Sequence, residues 1–252
     1  MDHDFMPRLP SIPRTGILGG TFNPVHAAHL RLACAAADAL GLDRVELTPG
    51  AVPPHKAAEG ILPFDLRCSL LEAAIAGEPR LAVSRLEGQL PPPSYTWNLI
   101  SAWKTAHEGE VPLFIVGAED FNQLESWKNG RELARITSFL VVPRGSADEH
   151  AFRDMTERLC PGTRVCPVAP HDALAENIST DDADTPSPLL AAPLSDDTIA
   201  LYLPLPLLDI SASAVRIHWM RNESIRSLTP DSVISLIDAH AGEIRKCWSV
   251  FC

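Results

Sequence analysis

The chain has 252 residues, 46% of them hydrophobic, with 21 Lys+Arg against 32 Asp+Glu and a formal net charge of −11. That length suits one large or two small domains with a sizeable core. The acidic balance argues against a general nucleic-acid binder, which needs a basic face to neutralise phosphates.

The acidity is local. Between Arg164 and Arg216 there is no Lys or Arg but there are eight acidic residues, and the rest of the chain holds 24 acidic against 21 basic residues. Residues 1–13 read as a tail: they carry acids and prolines and lack the apolar stretch of about 7–15 residues that a secretory signal needs. No run of about 18 apolar residues occurs, so neither a membrane span nor a membrane partner is expected. Apolar or β-prone runs at 15–18, 44–48, 81–84, 112–116 and 138–142 then alternate with helical patterns over 27–40, 64–76, 95–107 and 131–136. This alternation predicts an α/β fold, a Rossmann-like doubly wound parallel sheet with helices on both faces. Such sheets bind ligands at the C-terminal ends of their strands, near the switch point. Attention therefore falls on the loops after Leu18, Thr48, Val116 and Val142.

Residues 170–195 are rich in Asp, Ala, Pro and Ser and have no helix or strand period, so they read as an acidic insertion in loop or disordered form. An apolar run at 198–203 follows, then two C-terminal helices over 210–226 and 230–240, the second opened by Pro230, Asp231 and Ser232. One domain over 14–241 is expected. The six cysteines (Cys34, Cys68, Cys160, Cys166, Cys247, Cys252) form no CxxC pair and no zinc-like spacing. They read as reduced thiols of a cytoplasmic protein, with a terminal Cys247–Cys252 disulfide as the alternative.

The densest signal is GILGGTFNPVHAAH over 16–29. A short strand runs into Gly19-Gly20, a turn is marked by Asn23-Pro24, and a helix carries His26 and His29. The glycines allow close backbone approach, and the helix start offers free N–H groups to an anion. His26 and His29 are spaced i, i+3, so both project from one face and can donate hydrogen bonds to phosphate oxygens as charge develops. A lone histidine there would read as a cap or a surface residue. The i, i+4 pair and Glu of a zinc-protease helix are missing, as are GxGxxG and GxxxxGK[ST], and no metal ligand is assigned. Far along the chain, ISASAVR over 210–216 places Ser211 and Ser213 at a helix start, with Arg216 inside it as a candidate phosphate fork. In PGAVPPHK over 49–56, the prolines stiffen a loop that presents His55 and Lys56.

Together these residues are similar to a known family. GGTFNPVHAAH resembles GGTFDPxHxGH, the signature of the nucleotidylyltransferase superfamily, with Asn23 for the common Asp and Ala28 for Gly. ISASAVR resembles its second hallmark, ISSTxIR, with Ala212 and Ser213 as the departures. PGAVPPHK resembles the PxxxPPHK loop of the nicotinate-nucleotide adenylyltransferases. SYTW over 94–97 resembles their SYTxxT/L segment, and Glu87 matches an acidic position ahead of it. FIVGAEDFNQLESW over 114–127 resembles IIGxDxLxxxxxW, and LVVPRG over 140–145 resembles VxxRxG. The resemblance spans 14–145 and 199–241.

The resemblance implies adenylyl transfer from ATP to nicotinate mononucleotide, giving nicotinate adenine dinucleotide and pyrophosphate, with Mg2+ travelling with ATP. It implies catalytic roles for His26, His29 and Arg216. The ATP site would comprise Gly19, Gly20, Thr21, Phe22, His26, His29, Gly117, Glu119, Asp120, Arg144, Ser211, Ser213 and Arg216. Of Glu119 and Asp120, either fits the family's Asp. His55, Lys56, Thr96 and Trp127 would hold the mononucleotide, the indole stacking on the pyridine ring. Two alternatives stay open: the same fold acting on nicotinamide mononucleotide or another phosphate ester, and a non-catalytic nucleotide sensor.

Overall fold

The computed structural model describes residues 9–52, 59–143, 148–168, 189–205 and 208–251. His55, Lys56, Arg144, Cys252 and residues 170–188 lie outside the described residues. The strands are β1 (Thr15–Gly20), β2 (Arg44–Pro49), β3 (Leu81–Val83), β4 (Leu113–Gly117), β5 (Ser138–Val142), β6 (Cys166–Val168), β7 (Leu189–Pro193) and β8 (Ile199–Tyr202). They form a single sheet in the order β3-β2-β1-β4-β5-β8-β7-β6. From β3 to β8 every pairing is parallel. Because β1 lies between β2 and β4, the chain leaves it towards one edge and returns on the other side, which makes the β1/β4 boundary the switch point.

Both faces of the parallel strands are covered, so the strands read as continuous apolar runs. Leu18, Leu47, Ile115 and Leu140 point to one face, against Ala33 of α1 (Ala27–Leu40), Leu70 of α2 (Phe64–Ile75) and Val215 of α7 (Ala212–Met220). Their strand neighbours Ile17, Phe114, Val116 and Phe139 point to the other face. There they meet Trp103 of α3 (Thr96–Ala106), Leu133 of α5 (Gly130–Ile136) and Phe152 of α6 (Asp148–Leu159). Helix α1 ends where Gly41 enters the left-handed region at φ 60° and its N–H bonds back to Ala37 O.

The expected sheet needs amendment at one edge. Strand β7 runs antiparallel to β8, and β6 antiparallel to β7. Only residues 194–198 join β7 to β8, too few for the crossover that a parallel pair requires. The expected insertion over 170–195 therefore ends early, since Leu189, Leu190, Ala191 and Ala192 are buried strand residues. Composition averaged across the acidic stretch conceals that apolar run. In the last register pair of the β6/β7 hairpin, Val168 lies opposite Leu189.

At the C-terminus, α7 stops at Met220 instead of running to 226. Asn222 takes φ 59°, and the N–H groups of Asn222 and Glu223 turn back to Trp219 O and His218 O. α8 (Asp231–Ala239) matches expectation, and α9 (Ala241–Trp248) adds a third helix there. The short helix α4 (Ala118–Phe121) was also unforeseen. No helix among the described residues is long and apolar enough to cross a membrane.

Candidate active site

A cavity of about 930 Å³ opens at the C-terminal ends of β1, β2, β4 and β5. Its wall takes Gly19, Gly20 and Thr21 from the end of β1 and its loop, Thr48 and Gly50 from β2, Gly117 from β4 and Val142 from β5. The first turns of three helices complete it. His26, Ala28 and His29 come from α1, Thr96 from α3, and Ser211 and Ala212 from α7. Helix N-termini carry unsatisfied N–H groups and partial positive charge, so this wall suits an anion despite the chain's net charge.

Four hydrogen bonds, three of them from side chains, hold the backbone of the loop between β1 and α1. Arg67 Nη1 donates to Thr21 O (2.7 Å), and Arg216 Nη1 donates to Asn23 O (2.7 Å). Thr229 Oγ1 donates to Val25 O (3.0 Å), and Ala27 N–H donates to Leu228 O (2.8 Å). Phe22 sits at φ 48°, a conformation uncommon for a non-glycine residue. Its ring is buried, so a Cβ at Gly20 would lie 3.2 Å from it, and it packs edge-on against His29 at 4.8 Å. Phe22 was expected at the ATP site, but it supports His29 from the core side and does not line the cavity.

Asn23, which departs from the family's Asp, is buried and uses both ends of its amide. Nδ2 donates to Gly60 O (2.8 Å), and Oδ1 accepts from Leu62 N–H (3.0 Å). A carboxylate could not make the first of these bonds.

His26 caps α1, and its ring stacks on that of His29 at 3.7 Å between centroids. Its backbone N–H donates to His29 Nδ1 (3.3 Å). With Nδ1 accepting, the neutral His29 ring carries its proton on Nε2, where it is a donor.

Arg216 differs most from expectation. Its guanidinium is absent from the cavity wall: Nη1 is committed to Asn23 O, Nη2 donates to Ser213 Oγ (2.9 Å), and Phe251 lies 4.2 Å over its face. Burial pushes its pKa down. Ser213 turns towards Arg216 and away from the cavity, whereas Ser211 stays on the wall and accepts from Ala214 N–H (3.1 Å) as the cap of α7. Of the two adjacent carboxylates, Asp120 lines the cavity and the exposed Glu119 does not.

On the far wall stand Thr96, Trp127, Ser94 and Glu87. Trp127 is half-buried and meets Phe114 edge-on at 6.4 Å. Burial pushes the Glu87 carboxyl above its ordinary range, opposed by hydrogen bonds from the Ser94 hydroxyl and the Ala51 N–H. The carboxylates of the cavity, Glu87, Asp120 and Asp209, do not form a metal cage. Among the described residues no group of three or more His, Cys, Asp or Glu could hold an ion.

From the sequence Arg67 reads as a helix-face charge, although the family that the chain resembles often has an Arg near there, and no site role is assigned to it. It is 1% exposed and lies under the two loops. A usable signal was its spacing: Arg67 is four residues before Leu71 and three before Leu70, on the buried face of α2.

A family model described as cytidylyltransferase-like matches residues 17–216, and the chain belongs to that family. A probable nicotinate-nucleotide adenylyltransferase of Geobacter metallireducens is 34% identical over 89% of this chain and 95% of its own length. One of the same description from Geobacter sulfurreducens is 36% identical over 87% and 93%. Within the wider family, then, the chain is a member of the nicotinate-nucleotide adenylyltransferases. The fold is shared with the Plasmodium falciparum nicotinic acid mononucleotide adenylyltransferase complexed with NaAD (TM-score 0.64, 16% identity, 91% of this chain and 96% of that one).

Proposed function

We propose that this chain transfers the adenylyl group of ATP to nicotinate mononucleotide, releasing pyrophosphate. The observation that carries the reading is one cavity with two walls of different chemistry. The stacked His26–His29 pair and the α7 N-terminus form a donor-rich side suited to an anion, and Thr96 and Trp127 form a side suited to a flat aromatic ring.

In this reading a phosphate oxygen of the mononucleotide attacks the α-phosphorus of ATP. The new P–O bond forms as the bond from the α-phosphorus to the bridging oxygen breaks, and that oxygen leaves with pyrophosphate. The attacking phosphate is already ionised near neutral pH, so catalysis reduces to positioning and charge stabilisation. His29 Nε2–H and the His26 ring stabilise charge at the α-phosphate and bridging oxygen. Gly19, Gly20 and Thr21 let the nucleotide approach the backbone, and Asp120 and Gly117 serve its nucleoside end. Ser211 and the α7 N-terminus receive the departing pyrophosphate. Arg216 adds its charge from beneath the loop, and its less buried bond to Ser213 is the one that exchanges for a phosphate oxygen. His55, Lys56 and Arg144 complete the phosphate contacts. Mg2+ enters with ATP as part of the substrate. Five free thiols among the described residues support a reducing, cytoplasmic setting.

The test is pyrophosphate release from ATP with nicotinate mononucleotide, nicotinamide mononucleotide and phosphopantetheine in parallel. The reading expects the fastest turnover with the first. Release only with another acceptor replaces the substrate, and release with none favours a sensor.

A further inference from the structure

We propose that Arg67 is a positioning residue that sets the spacing between the loop after β1 and the loop after β2, and thereby the rate of adenylyl transfer. This rests on the adenylyl-transfer reading above, in which the first loop holds the donor nucleotide and the second leads to the acceptor's phosphate contacts.

Three backbone carbonyls from three separate segments converge on one guanidinium. Nε donates to Leu62 O (2.9 Å), Nη1 to Thr21 O (2.7 Å) and Nη2 to Ala51 O (3.4 Å). Arg67 is absent from the cavity wall, but Thr21 is on it, and so is Gly50, the residue before Ala51. The second loop is fastened from its other side as well. Ala51 N–H bonds to Glu87, Val52 N–H donates to Ser94 Oγ (3.0 Å), and Ser94 N–H donates to Val52 O (2.9 Å). Arg67 thus joins a strapped second loop to the floor of the first.

Stability alone does not account for this choice of residue. Burial pushes the Arg67 pKa down, and its hydrogen-bond partners are all carbonyls. An ammonium at this place could pair with some of these carbonyls, whereas an apolar side chain would leave all three without a donor. What the guanidinium provides is direction: a rigid planar fork fixes three acceptors relative to one another, which an ammonium on a flexible stem does not. In-line transfer is sensitive to that geometry, since a misplacement of about 1 Å costs on the order of a hundredfold in rate.

The experiment compares Arg67→Lys with the unaltered protein by initial rates, varying each substrate in turn, with circular dichroism to establish folding. We expect kcat to fall about tenfold or more while both KM values stay within roughly threefold, the mark of an interaction that acts on the transition state. An unchanged kcat, or a loss confined to one KM, overturns the proposal. Should R67K not fold, Ser94→Ala loosens the same loop from its other side. It is expected to lower kcat with both KM values retained, and a folded S94A with full kcat overturns the proposal equally. Unaltered protein that releases no pyrophosphate overturns the functional reading first and the role of Arg67 with it.

Discussion

Replacing Asn23 with Asp introduces the residue more common in the family, and this structure predicts that it damages this protein. Asn23 is 5% exposed, and its Nδ2 donates to Gly60 O at 2.8 Å. A carboxylate keeps the bond from Leu62 N–H, but its other oxygen would face the Gly60 carbonyl. Losing that bond and leaving a buried acceptor unsatisfied costs about 1–3 kcal/mol. The Arg216 guanidinium, bound to Asn23 O at 2.7 Å, offsets part of the electrostatic penalty, which leaves a loss of about 2 kcal/mol. For a chain of this size each kcal/mol moves Tm by roughly 2–4 °C, so the expected fall is roughly 4–8 °C.

The deficit has a definite pH dependence. Protonation restores a donor towards Gly60 O, so the introduced carboxyl titrates higher in the folded state than in the unfolded one. The loss is therefore full above the folded-state pKa and shrinks as pH falls towards about 3.9, the ordinary value for Asp. Calorimetry of N23D and N23A across pH separates the terms, because the alanine variant has no group to titrate. A Tm for N23D within 1 °C of the parent at neutral pH (roughly the scatter of such scans, against a shift of 2–4 °C per kcal/mol), or a deficit that does not shrink on acidification, would refute the argument.

Other perturbations follow from the same geometry. His29→Ala removes a donor from the anion-binding wall, and turnover should drop by about 10²–10³-fold with the KM for ATP nearly unchanged; near-normal turnover in initial-rate assays removes His29 from the mechanism. Glu87→Gln should gain stability relative to the parent as pH rises from acid to neutral. Burial raises the folded-state pKa of Glu87, so the native state holds its proton longer and stability declines through that window. A Tm difference that stays flat with pH would contradict burial as the cause. Replacing residues 170–187 with a two-residue Asn-Gly turn should leave fold and turnover intact, whereas extending the deletion through Ser195 removes buried β7 and should abolish soluble expression. Loss of turnover in the shorter deletion, with circular dichroism unchanged, gives the segment a role at the site.

Much of the fold was legible because parallel strands buried on both faces leave uninterrupted apolar runs, and α1 falls on the residues that its alanine-rich pattern outlined. The histidine pair was legible through spacing alone. Other features depend on partners distant in sequence. Nothing local to Arg67 announces that its acceptors lie at Thr21 and Ala51, and nothing local to Asn23 announces Gly60. Arg216 was identified as a phosphate fork from its motif, yet its bonds run to Asn23 O and Ser213. A motif specifies residue type and order, whereas the direction of a side chain depends on which acceptor is nearest. Strand β7 was lost because its five residues adjoin an acidic stretch that dominates any wider window.

The pairing of Val168 with Leu189 at the end of the β6/β7 hairpin has a consequence for the protein as a solute. Five of the acidic residues (Asp172, Glu176, Asp181, Asp182 and Asp184) are attached there, at the outermost strand of the sheet. Five strand-to-strand steps of about 4.8 Å separate β6 from β1, so the attachment lies roughly 24 Å sideways from the glycine loop. That is about three Debye lengths at physiological salt. Changing that one hairpin connection therefore shifts the isoelectric point and the charge repulsion between molecules through residues joined to the sheet at a strand remote from the glycine loop.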